Sequence, residues 1–211
     1  MKKSTLLSFV AVLIVSCSQA QINKGTILIG GSAGAGRSKN ESLLGEQVSS
    51  NYGISPSFAV AVKQNFTIGF SLNYSRSSGA ISPNGPGKQV SNGYGAGVFA
   101  RSYAPLSKKF YLFGQGGVGA YATNQKYKDI PTPSPKIKSF NVGLNAFPGV
   151  AFDVNRWLQL ETSLPQFVSI NYSRQRNIAP NGDENKTSNI SANVNISPAT
   201  ELNLGIRILF R

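Results

Sequence analysis

Apolar and polar residues alternate along most of the chain after residue 21. In the run 66–75, bulky apolar or aromatic side chains occupy the even positions, and small or polar ones occupy the odd positions. The run 140–153 shows the same alternation over most of its length. Because successive side chains of a strand point to opposite faces, a period of two residues predicts β-strands. The sequence therefore predicts an all-β protein whose strands each have one apolar face.

The alternating runs predict eight strands, separated by connections of two kinds. The strands are 25–36, 51–62, 66–76, 92–103, 110–122, 139–153, 157–173 and 187–211. The connections 37–50, 77–91, 123–138 and 174–186 are long, and those at 63–65, 104–109 and 154–156 are short. Strict alternation of long and short connections, with an even number of strands, is typical of a membrane barrel with both termini in the periplasm.

Composition indicates which way the apolar face points. The polar face is rich in Gly, Ser and Asn, and charged residues make up only 14% of the chain. A soluble domain has about 25% charged residues and places them outside. Small polar side chains suit a narrow barrel interior, so the apolar face belongs outside, toward lipid. We therefore predict an eight-stranded antiparallel transmembrane β-barrel with long extracellular loops and short periplasmic turns.

The first twenty residues form a leader. Lys2 and Lys3 precede the apolar run 6–15, and small residues follow at Ser18 and Ala20. This order is typical of a secretory signal peptide, which is too short to span a bilayer. We expect residues 1–20 to be the signal peptide and residues 21–211 to form the barrel domain.

Cys17, the only cysteine, leaves a second processing route open. The segment 14–17 loosely matches a lipoprotein cleavage box, in which Cys17 would become the lipidated first residue. We favour cleavage after Ala20 because Ile14 stands where such a box usually has Leu.

One short phrase occurs twice, as SLNYSR at 71–76 and SINYSR at 169–174. Tyr74 and Tyr172 lie on the apolar face of their strands, and Arg76 and Arg174 follow two residues later. Aromatic side chains gather at membrane interfaces, and arginine suits the headgroup level. Both copies are therefore predicted to mark the outer boundary of the membrane.

The chain resembles the small eight-stranded outer-membrane β-barrel proteins of Gram-negative bacteria, often called porin-like. The matching stretches are the first strand at 25–32, the hairpin 99–106, the run 110–114 and the ending 202–210. The resemblance covers essentially the whole mature chain and implies a location in the cell outer membrane. It implies little about function, because members of this group have adhesion, lipid-binding, enzymatic and unassigned roles.

The last strand resembles the C-terminal assembly signal of these proteins. Asn203, Gly205, Arg207 and Phe210 provide its polar, glycine and aromatic positions. The resemblance implies contact with the barrel assembly machinery during insertion. Arg211 departs from the usual aromatic terminus. An ordinary edge strand is the alternative, but so apolar an uncovered edge would invite aggregation.

Candidate chemistry is sparse. The chain has no histidine, which excludes Ser-His-Asp and imidazole–metal sites. Glu161 is the one acid placed well inside the membrane zone, Arg207 reaches a similar depth on the neighbouring strand, and Arg101 could approach from across the lumen. Because a buried charge must be paired, we predict an internal ion cluster of Arg101, Glu161 and Arg207 rather than catalysis. We expect no enzyme activity, no metal and no cofactor.

Six inward-facing side chains, including the three of the ion cluster, are expected to crowd the periplasmic half of the lumen and to close the barrel to bulk solute. They are Arg101, Tyr103, Gln115, Gln159, Glu161 and Arg207.

The net charge of +13, or +11 after loss of Lys2 and Lys3, calls for an anionic partner or a solvated surface. An exported chain without a recognition helix or RNA-binding signature is not expected to bind nucleic acid. The four long connections hold twice as many basic as acidic residues, concentrated at Lys126, Lys128, Lys136 and Lys138.

Three interpretations of this charge remain open: a solvated face without a ligand, contact with lipopolysaccharide phosphates, and adhesion to a partner. We expect a monomeric structural and surface-interaction protein. The alternative is a channel for small or apolar solutes, or an accessory barrel of a secretion machine.

Overall fold

The computed structural model describes residues 21–42, 45–80, 87–129, 134–163, 168–194 and 203–211. The leader and Cys17 lie outside the described residues. The strands are β1 (Ile27–Ser42), β2 (Gly45–Lys63), β3 (Phe66–Ala80), β4 (Lys88–Pro105), β5 (Phe110–Lys128), β6 (Lys136–Asp153), β7 (Leu158–Ser163), β8 (Val168–Ile178), β9 (Glu184–Val194) and β10 (Asn203–Phe210). None of the described residues forms a helix long and apolar enough to cross a membrane.

The strands form one closed antiparallel sheet. Neighbours pair in sequence from β1 to β6, and β10 pairs back to β1. β7 and β8 both pair with β6, while β10 pairs with β7 and β9 pairs with β8. β7 and β8 therefore share one position around the barrel, and β9 and β10 share the next. The predicted fold class, an all-β eight-stranded antiparallel barrel, is confirmed.

The apolar face of the barrel points outward. On β3 the side chains of Ile68, Phe70 and Leu72 are 48%, 49% and 52% exposed. The small residues between them, Gly69 and Ser71, face the lumen and are half-buried. A continuous outward apolar band is unfavourable in water and suits a barrel surrounded by lipid. The sequence prediction that the apolar face lies outside is confirmed.

The two ends of the barrel differ in their connections. One end has the short turns 64–65, 106–109 and 154–157 and both ends of the described chain. We call it the periplasmic end, and the opposite one the outer end. Its short turns agree with the prediction.

At the outer end the strands run well past their predicted limits. The β1–β2 ladder continues to Ser42 opposite Gly45, and the β4–β5 ladder to Lys88 opposite Lys128. The prediction of long loops in these regions is therefore wrong for most of the described residues. The extensions carry polar residues on both faces, so they lack the contrast that reveals a strand in sequence. The backbone continues its ladder there because pairing satisfies its N–H and C=O groups.

The buried core lies at the periplasmic end of the lumen. We call it the periplasmic core; its residues are Ile22, Leu28, Ala59, Ala61, Phe99, Tyr103, Tyr111, Phe113, Ala151 and Leu209. Ile22 reaches it from the segment before β1, because its N–H donates to Asn65 Oδ1 at 3.0 Å and its carbonyl accepts from Asn65 N–H at 2.9 Å. This end of the lumen is therefore filled with side chains.

β10 both closes the barrel and ends the chain. Its register with β1 begins with Ile27 opposite Phe210. Phe210 points outward and is 54% exposed, while Arg211 Nη2 lies 2.7 Å from Asp153 Oδ2. Phe210 thus contributes a ladder pair and an interfacial aromatic ring, and Arg211 contributes one ion pair.

Deleting Phe210 and Arg211 together should impair assembly far more than deleting Arg211 alone, because only the double deletion shortens the closing ladder. The folded fraction is measured as the heat-modifiable band on SDS gels of outer-membrane preparations. Equal folded fractions for the two truncations would contradict a role for Phe210 in assembly.

Candidate functional site

Three charged side chains meet in the lumen among the residues of the periplasmic core. Glu161 Oε2 accepts hydrogen bonds from Arg207 Nε at 2.7 Å and from Arg101 Nη1. The side chains of Arg101 and Arg207 are 3% and 4% exposed, and that of Glu161 is 11% exposed. Glu161 and Arg207 lie on the paired strands β7 and β10, whereas Arg101 comes from β4. The structure therefore brings together the three residues that the sequence assigned to an internal ion cluster.

Polar and aromatic groups surround Arg101. Its Nε and Nη2 donate to Gln115 Oε1 at 2.9 and 2.6 Å, and its Nη1 donates to Tyr103 OH at 3.3 Å. The guanidinium carbon lies 4.0 Å from the centroid of the Phe113 ring. These contacts offset part of the hydration that the cation loses on burial. Because two guanidinium groups face one carboxylate, the cluster carries one net positive charge.

Two glycines make room for the cluster. Gly205 lies opposite Glu161, and a Cβ at Gly205 would stand 2.8 Å from Glu161 Cγ. Gly30 lies opposite Arg207, and a Cβ at Gly30 would stand 2.9 Å from Arg207 Cγ. Arg207 Nη1 also donates to Ser57 Oγ at 3.3 Å. Sequence reasoning assigned Gly205 to an assembly signal only and missed Gly30, whose role depends on the register between β1 and β10.

A second polar group lies at the periplasmic end. Asp153 Oδ1 accepts from Gln159 Nε2 at 2.8 Å, and Asp153 Oδ2 accepts from Tyr111 OH at 3.2 Å and Arg211 Nη2 at 2.7 Å. Gln159 and Tyr111 are almost completely buried. Asp153 therefore ties three strands to the last residue of the chain. Sequence reasoning missed this contact, which gives Arg211 a structural role.

Of the four residues assigned to the assembly signal, Gly205 and Arg207 are buried at the ion cluster, and Asn203 and Phe210 are exposed. Asn203 lies opposite Ser163 in the β10–β7 ladder. Of these four residues, only Asn203 and Phe210 therefore have a side chain that another molecule can reach on the folded barrel.

Above the cluster the lumen is polar. A cavity of about 380 Å³ begins at the ion cluster, and another of about 480 Å³ adjoins it toward the outer end. Both are lined by Ser55, Asn73, Gly119 and Asn145. Glu161 is the only carboxylate among their described lining residues. Since it is already bound by two guanidinium groups, its role is that of a counter-ion.

No group of three acidic, histidine or cysteine side chains that could hold a metal ion occurs in the described part of the chain.

The four lysines assigned to the third extracellular loop lie on strands. Lys126 and Lys128 belong to β5, Lys136 and Lys138 belong to β6, and all four are exposed. They occupy even positions, which nearer the membrane carry the outward apolar side chains. They therefore project outward from an extension of the barrel wall, which corrects the loop assignment.

Aromatic residues lie where the strands leave the apolar band. The rings of Tyr52 and Tyr74 are 6.1 Å apart, and those of Tyr74 and Tyr94 are 5.2 Å apart. Tyr172 is exposed on β8, and Arg174 follows it on the same face. Tyr74 and Tyr172 thus lie on the outward face, as the repeated phrase predicts.

Solved structures of outer-membrane proteins resemble this barrel. The major outer membrane protein of Thermus thermophilus gives a TM-score of 0.51 at 13% identity, covering 87% of this chain and 99% of that one. OprG of Pseudomonas aeruginosa gives 0.50 at 12% identity, covering 89% and 97%. The fold is that of an outer-membrane β-barrel. The resemblance seen in the sequence is therefore confirmed for the fold, and the predicted location in the cell outer membrane agrees with it and with the outward apolar band.

Neisserial surface protein A is also similar to the barrel, with a TM-score of 0.45 at 16% identity over 91% of this chain and 100% of that one. No family model and no curated protein matches the chain.

Replacing Glu161 by Ala should destabilise the barrel by about 3–5 kcal/mol, because two buried guanidinium groups lose their counter-ion. Glu161→Gln keeps an acceptor without the charge and should be intermediate. The measurement is the temperature at which the compact band on SDS gels converts to the unfolded one.

The matched control is Asp183→Ala, which removes an exposed acid that makes no ion pair among the described residues. It should change stability by less than about 0.5 kcal/mol. Equal conversion temperatures for Glu161→Ala and Asp183→Ala would overturn the counter-ion role.

Proposed function

We propose that this protein is a monomeric, non-enzymatic barrel that spans the outer membrane and acts as a structural and surface-interaction element. In this proposal the barrel assembly machinery inserts it, and its basic outer end contacts phosphate groups of outer-leaflet lipopolysaccharide. It needs no cofactor.

The observation that carries the proposal is the obstruction of the lumen. The ion cluster of Arg101, Glu161 and Arg207 joins β4, β7 and β10 across the lumen and packs against the periplasmic core. An eight-stranded barrel encloses an interior only wide enough for side chains to fill, whereas aqueous channels need about sixteen strands. This favours a structural role over solute transport.

The charge of the outer end supports a surface role. Lys126, Lys128, Lys136 and Lys138 project from strand extensions beyond the apolar band. Lysine and arginine bind phosphate through charge-assisted hydrogen bonds. In this proposal the surrounding leaflet supplies phosphorylated lipid as the anionic partner of these side chains.

The purified native protein should show no sustained conductance in planar bilayers, because side chains obstruct the lumen. Glu161→Ala should show occasional small openings, since water can enter where the ion cluster is broken. Insertion is verified by recovering the heat-modifiable form from the bilayer lipid. Steady, large conductance steps of one size from the native protein would favour the transport alternative.

The native barrel should also retain lipid A that carries both phosphates more strongly than the same lipid after phosphate removal. The difference should shrink between 50 and 500 mM salt, about a threefold change in Debye length, because exposed charges are screened. Retention is measured by lipid analysis after detergent exchange. Equal retention of the two lipids at low salt would contradict lipopolysaccharide contact. The two other interpretations of the basic charge, adhesion to a partner and a solvated face without a ligand, would then remain.

A further inference from the structure

A row of three cations crosses three neighbouring strands at the outer end. Lys138 of β6 lies directly opposite Arg176 of β8, and Arg176 lies directly opposite Lys186 of β9. All three side chains are exposed. Like charges directly opposite each other destabilise a sheet, so such a row is unfavourable unless an anion lies against it.

The protein itself supplies one anion to this row. Glu184 accepts hydrogen bonds at Oε2 from Arg176 Nε at 3.2 Å and Nη2 at 2.6 Å, and lies 3.8 Å from Lys186 Nζ. The hydrogen bonds from Arg176 lower the pKa of Glu184. The carboxylate therefore stays charged at pH values below the range in which glutamate ordinarily becomes protonated. Among the described residues, Lys138 and Arg174 have no acidic side chain within ion-pair distance.

With Arg174 included, four cations face one carboxylate, which leaves an excess of three positive charges. Arg174 lies opposite Phe140, one outward-facing position closer to the membrane than the row of three. We call Lys138, Arg174, Arg176 and Lys186 the basic row.

An apolar recess adjoins the basic row on its membrane side. Tyr94, Ala122, Phe140 and Arg174 lie opposite one another across β4, β5, β6 and β8. Ala122 is small, so the rings of Tyr94 and Phe140 border a recess of about 690 Å³ that also touches the basic row. Tyr94 and Phe140 are 60% and 49% exposed on the outward face. The cations of the basic row therefore lie next to the apolar recess, on the side away from the membrane.

We propose that the basic row and this recess bind one lipid of the outer leaflet whose headgroup carries phosphomonoesters. The phosphates contact Lys138, Arg174 and Lys186, and an acyl chain passes over Ala122. The inference rests on the proposed function and names the place where the outer end binds phosphate.

The charge of the row favours phosphomonoesters over the phosphodiester of an ordinary phospholipid. A phosphomonoester carries about −1.5 to −2 at neutral pH, so two of them balance an excess of three positive charges. One phosphodiester, with a single charge, leaves most of the excess uncompensated. Arginine adds affinity for phosphate of either kind, because its planar group matches phosphate oxygens in pairs.

The test uses the full mature barrel in detergent, titrated with diphosphoryl lipid A, dephosphorylated lipid A and phosphatidylglycerol, with bound lipid counted by native mass spectrometry. The variant Lys138→Gln with Arg174→Gln should bind diphosphoryl lipid A about tenfold more weakly, because two phosphate contacts are lost. Ala122→Phe fills the recess without removing charge and should also weaken binding severalfold.

The matched control is Arg37→Gln with Lys88→Gln, which also removes one arginine and one lysine from the outer end. Lys88 lies on β4 opposite Lys128, six residues along β5 from Ala122, or about 20 Å. Arg37 lies on β1, which pairs with β2 and β10 and not with the strands of the site. The control removes the same charge and should change binding less than twofold. All variants should keep the heat-modifiable band, since none of the five residues is buried.

Equal weakening by the two double variants would overturn the site while leaving phosphate binding by the whole outer end intact. Equal binding of phosphatidylglycerol and diphosphoryl lipid A would overturn the choice of ligand. Equal binding of diphosphoryl and dephosphorylated lipid A by the native barrel would overturn the proposed function itself, and the site with it.

Discussion

Backbone N–H and C=O groups find no hydrogen-bonding partner in lipid, and the architecture follows from this constraint. The β10–β1 ladder removes the free edges that an open sheet would expose. Closure at eight strand positions fixes a narrow interior, so inward side chains from different strands come within reach of one another. Arg101 on β4 and Glu161 on β7 meet because the ring is small.

The narrow interior also explains why charged residues in the lumen have glycines as neighbours. A buried carboxylate needs cationic partners, and guanidinium groups need volume. Gly30 and Gly205 provide that volume next to Arg207 and Glu161. Nearer the outer end, serine and asparagine leave cavities, whereas aromatic residues fill the periplasmic end. The lumen is thus graded from a filled periplasmic end to a polar outer half.

The two-residue alternation of the sequence was enough to predict which face of a strand each side chain occupies. Alternation gives the face of each residue, and counting residues from the periplasmic end of each strand gives its depth, which suffices to bring Glu161 and Arg207 together. The strand extensions at the outer end were not predicted, because both of their faces are polar and show no alternation. The Arg211–Asp153 pair, the space at Gly30 and the row from Lys138 to Lys186 depend on register between strands distant in sequence. Alternation alone does not determine that register.

The strand extensions at the outer end have a thermodynamic consequence for recognition. A loop must lose conformational entropy when a ligand fixes it, at about 1–2 kcal/mol per backbone residue. The charged residues of β6, β8 and β9 already stand on a hydrogen-bonded ladder. Neighbouring strands are held about 4.8 Å apart, so the spacing of the cations is set before any ligand arrives. Association then orders only side chains, and the outer end behaves as a preorganised surface rather than a flexible one.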